Sequence, residues 1–339
     1  MRYSLVESFR PIIPKIVSDP IESKVRQVNQ YLLVAKICSS TNAKVYVAVD
    51  TRTAKRYAAK VIKLGKHIEF GNSIIGLERE IRMMRHLNHP NTVKLKEVLF
   101  QRKTRTAYLI MDYADCGNLE NVIMKDDVKL TENNVFAILW QVSKGLNYLH
   151  SKQIAHQDIK PSNILIFNDG ENFKLSDFGI GHSFQSADLV FGTPGYQAPE
   201  YFDDNAKLDP IKEDVWSLGV TLYEMLTKKL PFVGDSPYEI ACKAKENKLK
   251  MPEGISDEMK NLLQNMLQID SEKRYSVHNV LEILSKVDHE EKPTFPQVKL
   301  HYKTFKSFCK TEAEICDENF SFNLNEMPQT QKKLLSSNM

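Results

Sequence analysis

The sequence predicts an α+β fold in two lobes, in which a small antiparallel β-sheet with one helix precedes a larger, mainly helical lobe. Three observations support this prediction. Short β-branched and apolar runs fill the first part of the chain, helical apolar faces fill the second, and the pattern changes after Gly117. With 339 residues, the chain can bury one large core or two lobes and still leave tails at its ends.

The first lobe is expected over residues 31 to about 113. Its predicted strands are short apolar runs bounded by polar residues, at 31–37, 45–49, 57–62, 92–100 and 107–111. Between the third and fourth of these strands, four apolar side chains recur at helical spacing. They predict a helix over 77–87 and are Leu77, Ile81, Met84 and Leu87.

The second lobe is expected over residues 114 to about 286. One long apolar face predicts its first major helix, formed by Val135, Ile138, Leu139, Val142, Leu146 and Leu149. Further helices are predicted at 216–226, 259–269 and 277–284, where the domain closes. The sequence shows no internal repeat.

Both ends of the chain differ from the predicted domain. Residues 1–30 contain Pro11, Pro14 and Pro20 with little periodicity, which indicates an N-terminal extension. Residues 287–339 are polar and charged, which is typical of a largely disordered tail. Within it, segment 298–310 places Lys299, Lys303, Lys306 and Lys310 on one helical face. A calmodulin-like or other regulatory partner fits that face, but so does a solvated tail without a partner.

Composition narrows the class of protein. The formal net charge of +3 is close to balance, so no nucleic-acid partner is predicted. Five scattered cysteines without Cys-x-x-Cys spacing indicate reduced thiols rather than a zinc site or disulfide framework. The first residues lack a signal-peptide core, and no apolar run is long enough to cross a bilayer. Together these features predict a soluble, cytoplasmic protein without a transmembrane segment.

The run from His156 to Asn163 carries the most specific chemistry in the sequence. It contains a carboxylate at Asp158, an ammonium group at Lys160 and an amide at Asn163, and a second acidic turn follows at Asp177. These groups can aim a hydroxyl, neutralise phosphate charge and hold Mg²⁺. The spacing therefore predicts phosphoryl transfer rather than a solvated polar loop.

These motifs resemble those of eukaryotic protein kinases over residues 31 to 286. A lysine in a predicted strand (Lys60), a glutamate on the following helix (Glu80) and Ala198-Pro199-Glu200 stand where the family requires them. The catalytic run and the segment 192–200 are similar to those of serine/threonine kinases, with a weaker likeness to the calcium/calmodulin-dependent kinase group and its upstream kinase kinases. The resemblance implies a two-lobed kinase fold, protein substrates and the use of ATP and Mg²⁺.

The resemblance also implies roles for single residues. Asp158 would act on the incoming hydroxyl, bonded to Thr193, with Lys160 beside the γ-phosphate. Lys60, paired with Glu80, would hold the α- and β-phosphates, and Asn163 and Asp177 would hold Mg²⁺. The residues implied around the adenine ring are Ile37, Val45, Ala58, Met111, Asp112, Ala114 and Leu165, with Met111 as gatekeeper. A stack joining the lobes would contain Met84, Leu95, His156 and Phe178 above Asp214, and Arg274 would brace Glu200.

Two departures from the family pattern bear on function. The three positions of the glycine-rich loop hold Cys38, Ser40 and Ala43, whose Cβ atoms are expected to weaken nucleotide binding where a left-handed conformation is required. Gln157 stands where many regulated kinases carry an arginine that pairs with a phosphate, and glutamine has no charge to neutralise. The missing glycines leave an alternative open, a pseudokinase that serves as a nucleotide-binding or signalling scaffold. A dinucleotide oxidoreductase is excluded, because the sequence lacks Gly-x-Gly-x-x-Gly.

Overall fold

The computed structural model describes residues 26–39, 43–63, 77, 81–101, 103–126, 128–178, 192–203, 206–246 and 249–287. Glu80, Ser40 and the tail segment 298–310, with its expected regulatory partner, lie outside these described residues. Within this part of the chain, none of the helices is long and apolar enough to span a membrane.

The first lobe is a six-stranded sheet whose neighbouring strands all pair antiparallel, in the order β1-β2-β3-β4-β6-β5. Its strands are β1 (Arg26–Val28), β2 (Tyr31–Ser39), β3 (Ala43–Asp50), β4 (Arg56–Lys63), β5 (Leu95–Gln101) and β6 (Thr106–Asp112). Helix α1 (81–86) lies between β4 and β5 in the chain. The Met84 side chain of this helix is buried in the main hydrophobic core. The predicted strands and the predicted helix are therefore present.

Strand β1 lies in the region that the sequence assigned to an N-terminal extension. It pairs with β2, with Val28 opposite Tyr31, and Val28 packs against the tyrosine-rich core of the outer sheet. The Arg26 guanidinium donates to the Tyr108 hydroxyl and lies 5.2 Å from that ring's centroid. The sheet thus begins earlier than the expected boundary at residue 31, because three residues are too few to show a period in the sequence.

The second lobe is built from helices whose starts follow ordinary capping rules. They are α2 (Leu119–Ile123), α3 (Glu132–Ser151), α4 (Pro210–Thr227), α5 (Pro237–Lys245), α6 (Asp257–Met266) and α7 (Val277–Val287). Thr131 and Asn134 form a capping box at the start of α3, and Asp209 caps α4 with proline at its first position. The apolar face predicted for α3 is fully buried. Helices α2 and α5 were missed, since short helices give weak periodicity.

A short hairpin joins the two lobes at the floor of the cleft. It consists of β7 (Ile164–Phe167) and β8 (Asn172–Leu175), and the sequence analysis missed both strands because each has only four residues. Leu175 bridges to Thr92 in the first lobe, and Leu165 bridges to Asn118 in the second. One continuous core runs through this junction and includes Met84, Leu95, Leu175, Phe178 and Trp216. The predicted two-lobed α+β architecture is confirmed.

Candidate active site

The loop that carries Asp158 is anchored to α4 by one buried carboxylate. Asp214 accepts from the backbone N–H of His156 at 2.8 Å and from that of Gln157 at 2.7 Å. The Nε2 atom of His150, in α3, lies 2.8 Å from the same carboxylate. Because Gln157 adopts φ 63°, the chain turns sharply between these anchors and Asp158. Three donors from two elements therefore fix the start of the loop.

His156 connects this loop to the segment that contains Asp177. Its Nε2 lies 3.0 Å from the carbonyl oxygen of Ser176, which can only accept, so Nε2 carries the proton. Nδ1 then accepts from the backbone N–H of Asp158 at 3.3 Å. The ring also packs against Phe178, with centroids 5.4 Å apart. The stack expected between the lobes is thus assembled, with Met84, Leu95, His156, Phe178 and Asp214 all buried.

Asp158 is the centre of a dense set of polar contacts, although its residue is only 7% exposed. Its Oδ1 accepts from the Thr193 hydroxyl at 2.7 Å. Its Oδ2 lies 2.8 Å from the Lys160 ammonium and 2.8 Å from the Asn163 side-chain amide nitrogen. The Lys160 ammonium also donates to the Thr193 hydroxyl. The structure therefore brings three of the predicted residues, Thr193, Lys160 and Asn163, to the carboxylate of the fourth, Asp158.

Lys60 and Asp177 meet across the cleft, although 117 positions separate them in sequence. The Lys60 ammonium donates to Asp177 Oδ1 at 2.8 Å, and Asp177 adopts φ 61°. Burial raises the pKa of the Asp177 carboxyl, but the charge of Lys60 and its hydrogen bond outweigh burial, so the pKa lies below its ordinary value. Asp177 is therefore ionised at neutral pH and can bind a cation.

The donor atoms at this site fit Mg²⁺. Asn163 uses its side-chain nitrogen for two bonds to Asp158, which leaves its amide oxygen as the atom able to bind a metal. Asp177 supplies a carboxylate, and Mg²⁺ prefers oxygen ligands. In the part of the chain described, no group of three or more His, Cys, Asp or Glu residues could hold a metal. The oxygen atoms of Asn163 and Asp177 suit Mg²⁺, which usually takes one or two protein ligands together with phosphates and water.

Three of the residues expected around the adenine ring, Val45, Ala58 and Met111, share one face of the sheet. Ala58 lies directly opposite Met111 across β4 and β6, and Val45 lies opposite Lys60 across β3 and β4. Directly paired residues project to the same face, as do residues two apart, so Val45, Ala58, Lys60 and Met111 line one surface. Ile37, in β2, and Leu165, in β7, are half-buried. These positions supply an apolar wall ending at the Lys60 ammonium.

Lys174, which the sequence analysis did not single out, stabilises the connection between the lobes. Asp112 donates its backbone N–H to the Lys94 carbonyl at 3.2 Å, and its carboxylate lies 2.9 Å from the Lys174 ammonium of β8. Ala114 follows β6 and is half-buried. Lys174 therefore joins the end of β6 at Asp112 to the β7–β8 hairpin, which follows Asn163 in the chain. A lone lysine in a four-residue strand gave no signal for this contact.

A family comparison bears directly on this constellation. The model of the protein kinase domain matches residues 31–284, which is more than half of the chain. The chain belongs to the protein kinase family. The resemblance inferred from the motifs is confirmed, and the matched region begins at the first residue of β2 and ends in α7.

Relatives of this kinase domain are named as serine/threonine kinases. The chain is 31% identical over 272 residues to the serine/threonine-protein kinase stk11 of Xenopus laevis, covering 78% of this chain and 63% of that relative. It is 33% identical over 259 residues to atg1 of Dictyostelium discoideum, covering 74% of this chain and 38% of that protein. The match to par-4 of Caenorhabditis briggsae is 33% over 276 residues, covering 78% and 42%. The chain thus spans less than two thirds of the length of these relatives.

The lower part of the kinase domain contains a buried ion pair that the sequence analysis expected. The Arg274 guanidinium donates to both oxygens of Glu200, at 2.6 and 2.9 Å, and lies over the Trp216 ring at 5.0 Å. Arg274 also donates to the carbonyl oxygens of Lys212 and Gln268. The pair therefore ties the end of the 192–203 segment to α4 and to the turn before α7.

Two further polar contacts support the site but were missed. His150 approaches Asp214, and the Tyr196 hydroxyl donates to Glu224 Oε2 at 2.6 Å, which joins the 192–203 segment to the end of α4. A signal existed for both. His150 comes directly after Leu149, the last residue of the apolar face of α3, and Glu224 lies within the apolar sequence of α4. A polar or charged residue at such a position implies a polar partner.

The strands on either side of the segment that lacks glycines, β2 and β3, pair antiparallel, with a register shift between Lys36 and Cys38. Cys38 lies opposite Val45, and neither Cys38 nor Ala43 adopts positive φ. No left-handed conformation is required at these two positions, because both are strand residues without positive φ. Burial and the charge of Asp177 raise the pKa of the Cys38 thiol, while Lys60 lowers it in part. The pKa of the thiol therefore depends on both charges of the Lys60–Asp177 pair. This pair lies at the place expected for the phosphates of ATP.

Replacing Cys38 by Gly is expected to lower the KM for ATP about two- to fivefold, since removing Cβ and Sγ lets the backbone approach the phosphates. The measurement is the initial rate of phosphate transfer against ATP concentration. Cys38→Ala is the matched control, because it removes the thiol and keeps Cβ. Equal KM values in the wild type and the glycine variant would contradict a steric role for this side chain.

Proposed function

We propose that the chain transfers the γ-phosphate of ATP to serine and threonine hydroxyls of protein substrates, with Mg²⁺. One observation carries the proposal. Asp158 is bonded to Thr193, Lys160 and Asn163 within 2.8 Å, while Lys60 and Asp177 pair at 2.8 Å across the cleft. These groups match the tasks of phosphoryl transfer, which needs positioning and charge neutralisation more than covalent chemistry.

Each residue has a separate task in this proposal. Asp158 orients the substrate hydroxyl and accepts its proton as the bond from that oxygen to the γ-phosphorus forms and the bond to the ADP oxygen breaks, while the Thr193 hydroxyl keeps its hydrogen bond to Asp158. Lys160, 2.8 Å from Asp158, supplies positive charge to the transferred group. Lys60 holds the phosphates that remain with ADP, and Asn163 and Asp177 hold Mg²⁺. The metal, when bound, neutralises charge that develops on the phosphate oxygens.

The alternative is a pseudokinase scaffold, which the missing glycines favour. The retained catalytic residues weigh against it, because Lys60 is bonded to Asp177 and Asn163 is bonded to Asp158. Cys38 also pairs with Val45 across β2 and β3, so this strand pairing forms without glycine at position 38. A cytoplasmic location forms part of the same proposal and is supported by Cys38 and Cys242, which form no disulfide within the described part of the chain. Recovery of the tagged chain in a membrane fraction would count against this location.

The test of function is label transfer from γ-³²P-ATP to casein and myelin basic protein, with acid hydrolysis to identify the labelled amino acid. We expect labelled serine and threonine, and no label after EDTA removes Mg²⁺. Label on tyrosine alone would contradict the proposed substrate class. No label, with ATP still bound, would favour the scaffold.

A further inference from the structure

A small polar cavity lies next to the catalytic loop, between it, the 192–203 segment and the start of α4. It is lined by Gln157, Asp158, Thr193, Tyr201 and Glu213, among others. Its volume is barely enough for one water molecule. A charge that appeared on its wall would therefore receive little solvation.

Glu213 is the acidic group buried on the α4 side of this cavity. The residue is 4% exposed, and its Oε1 has no hydrogen-bond partner among the residues described. The carboxyl also interacts with the Tyr201 hydroxyl through a side-chain hydrogen bond. Tyr201 in turn lies 3.5 Å from the side-chain nitrogen of Gln157, the residue before Asp158. A polar chain thus runs from α4 to the catalytic loop.

The charged groups around Glu213 disfavour its ionisation. Burial raises the pKa of its carboxyl, and the charges of Glu200 and Asp214 raise it further. The hydrogen bond from Tyr201 and the charge of Arg274 lower the pKa in part. The net result is a pKa of about 8, above the ordinary value of 4.5. Arg274 is bonded to Glu200 through both of its terminal nitrogens, and Asp214 accepts from His156, Gln157 and His150. The Lys212 ammonium is bonded to the Arg274 carbonyl oxygen. The carboxylates of Glu200 and Asp214 therefore already have hydrogen-bond donors. Protonation of the Glu213 carboxyl costs less free energy than placing a third charge beside them.

The segment above the cavity approaches the catalytic loop closely at Gly192. Gly192 adopts φ 102°, and a Cβ added there would lie 3.0 Å from the Gln157 carbonyl oxygen. The next residue is Thr193, which is bonded to Asp158. A shift of Tyr201 would thus reach the catalytic carboxylate through either Gln157 or Thr193.

We propose that Glu213 is a positioning residue whose protonated carboxyl seats the 192–203 segment against the catalytic loop, so that phosphate transfer falls when Glu213 ionises. The inference rests on the proposed function, since it concerns the same reaction. Loss of the proton would add a third negative charge beside Glu200 and Asp214, in a cavity with barely enough volume for one water molecule. The segment would relieve this charge by moving Tyr201 outward, and Thr193 and Asp158 would lose their alignment.

The first experiment is the pH profile of kcat at saturating ATP and peptide for the wild type and for Glu213→Gln. The wild type should lose activity with a midpoint near pH 8, while Glu213→Gln, which stays neutral, should lack this alkaline limb. At pH 9 the wild type should turn over about tenfold more slowly than Glu213→Gln. Glu213→Ala should be slow at every pH, and the amide variant should restore the rate. Exposed Glu253→Gln is the matched control and should follow the wild-type profile.

The second experiment measures Tm against pH and needs no activity. The folded-state pKa of Glu213 is raised above its ordinary value of 4.5, so its contribution to stability is full below that value and is lost as pH rises to about 8. The Tm advantage of Glu213→Gln over the wild type should therefore grow between about pH 5 and 8 and then stay constant.

The two experiments separate this inference from the proposed function. Transfer with the same alkaline limb in the wild type and in Glu213→Gln would overturn the inference alone. No transfer by any variant, with ATP bound, would overturn the proposed function and the positioning role together. A Tm difference that does not change with pH would show that Glu213 does not titrate as described, and would overturn the inference even in an active enzyme.

Discussion

Replacing Asp158 by Asn should lower kcat by about 10²- to 10⁴-fold, the range for loss of a general acid–base group. The amide keeps the shape of the carboxyl and can still accept from the Thr193 hydroxyl, which now lies 2.7 Å from Oδ1. It cannot accept the proton of a substrate hydroxyl, and it loses the attraction to Lys160 at 2.8 Å. Initial rates at saturating ATP and peptide measure the effect, and ATP affinity should change less than about threefold.

The matched control for this variant is Asp257→Asn. The Asp257 side chain is 94% exposed and pairs with Lys260 at the surface, so kcat should stay at the wild-type level. Equal rates for the wild type and Asp158→Asn would show that another group, or a contaminating kinase, performs the transfer.

Replacing Arg274 by Met should lower the free energy of unfolding by about 3–5 kcal/mol, the typical cost of removing one partner of a buried ion pair. Glu200 would remain buried without its bidentate donor, close to Glu213 and Asp214, and the carbonyl oxygens of Lys212 and Gln268 would lose their donors. The expected fall in Tm is on the order of 10 °C for a domain of this size. Thermal unfolding monitored by circular dichroism measures it.

Lys273→Ala provides the comparison at the neighbouring position. Lys273 pairs with Asp270 at 3.1 Å, but its side chain is 75% exposed, so the loss should be below about 1 kcal/mol. Adding Glu200→Gln to the Arg274 variant should recover part of the stability, because it removes the unpaired charge. A Tm for Arg274→Met within about 1 °C of the wild type would contradict the structural role of this pair.

Local spacing made part of the site predictable from the sequence. Asp158, Lys160 and Asn163 lie within six residues, so a single loop brings them together whatever the rest of the chain does. The contact between Lys60 and Asp177 depends on the packing of two lobes over 117 positions. No periodicity or spacing predicts it, and only the family resemblance placed both residues at one site.

The cavity at Glu213 shows why other features stayed hidden. Glu213 lies in the first turn of α4, where an acidic residue is ordinary and favourable, so its burial gave no signal in the sequence. Strands β1, β7 and β8 were also missed, because runs of three or four residues cannot show a reliable alternation. Helix α3, with twenty residues and one apolar face, was predicted because its length repeats the pattern several times.

The most direct test of the proposed site, where Asn163 and Asp177 hold Mg²⁺ and Lys60 holds the phosphates, is the affinity for ATP with and without Mg²⁺. Calorimetry on the wild type and on Asp177→Asn measures this affinity. If Asp177 and Asn163 hold Mg²⁺ against the phosphates, Mg²⁺ should tighten ATP binding about tenfold or more in the wild type and much less in Asp177→Asn. The same ATP affinity in the wild type with and without Mg²⁺ would contradict this arrangement.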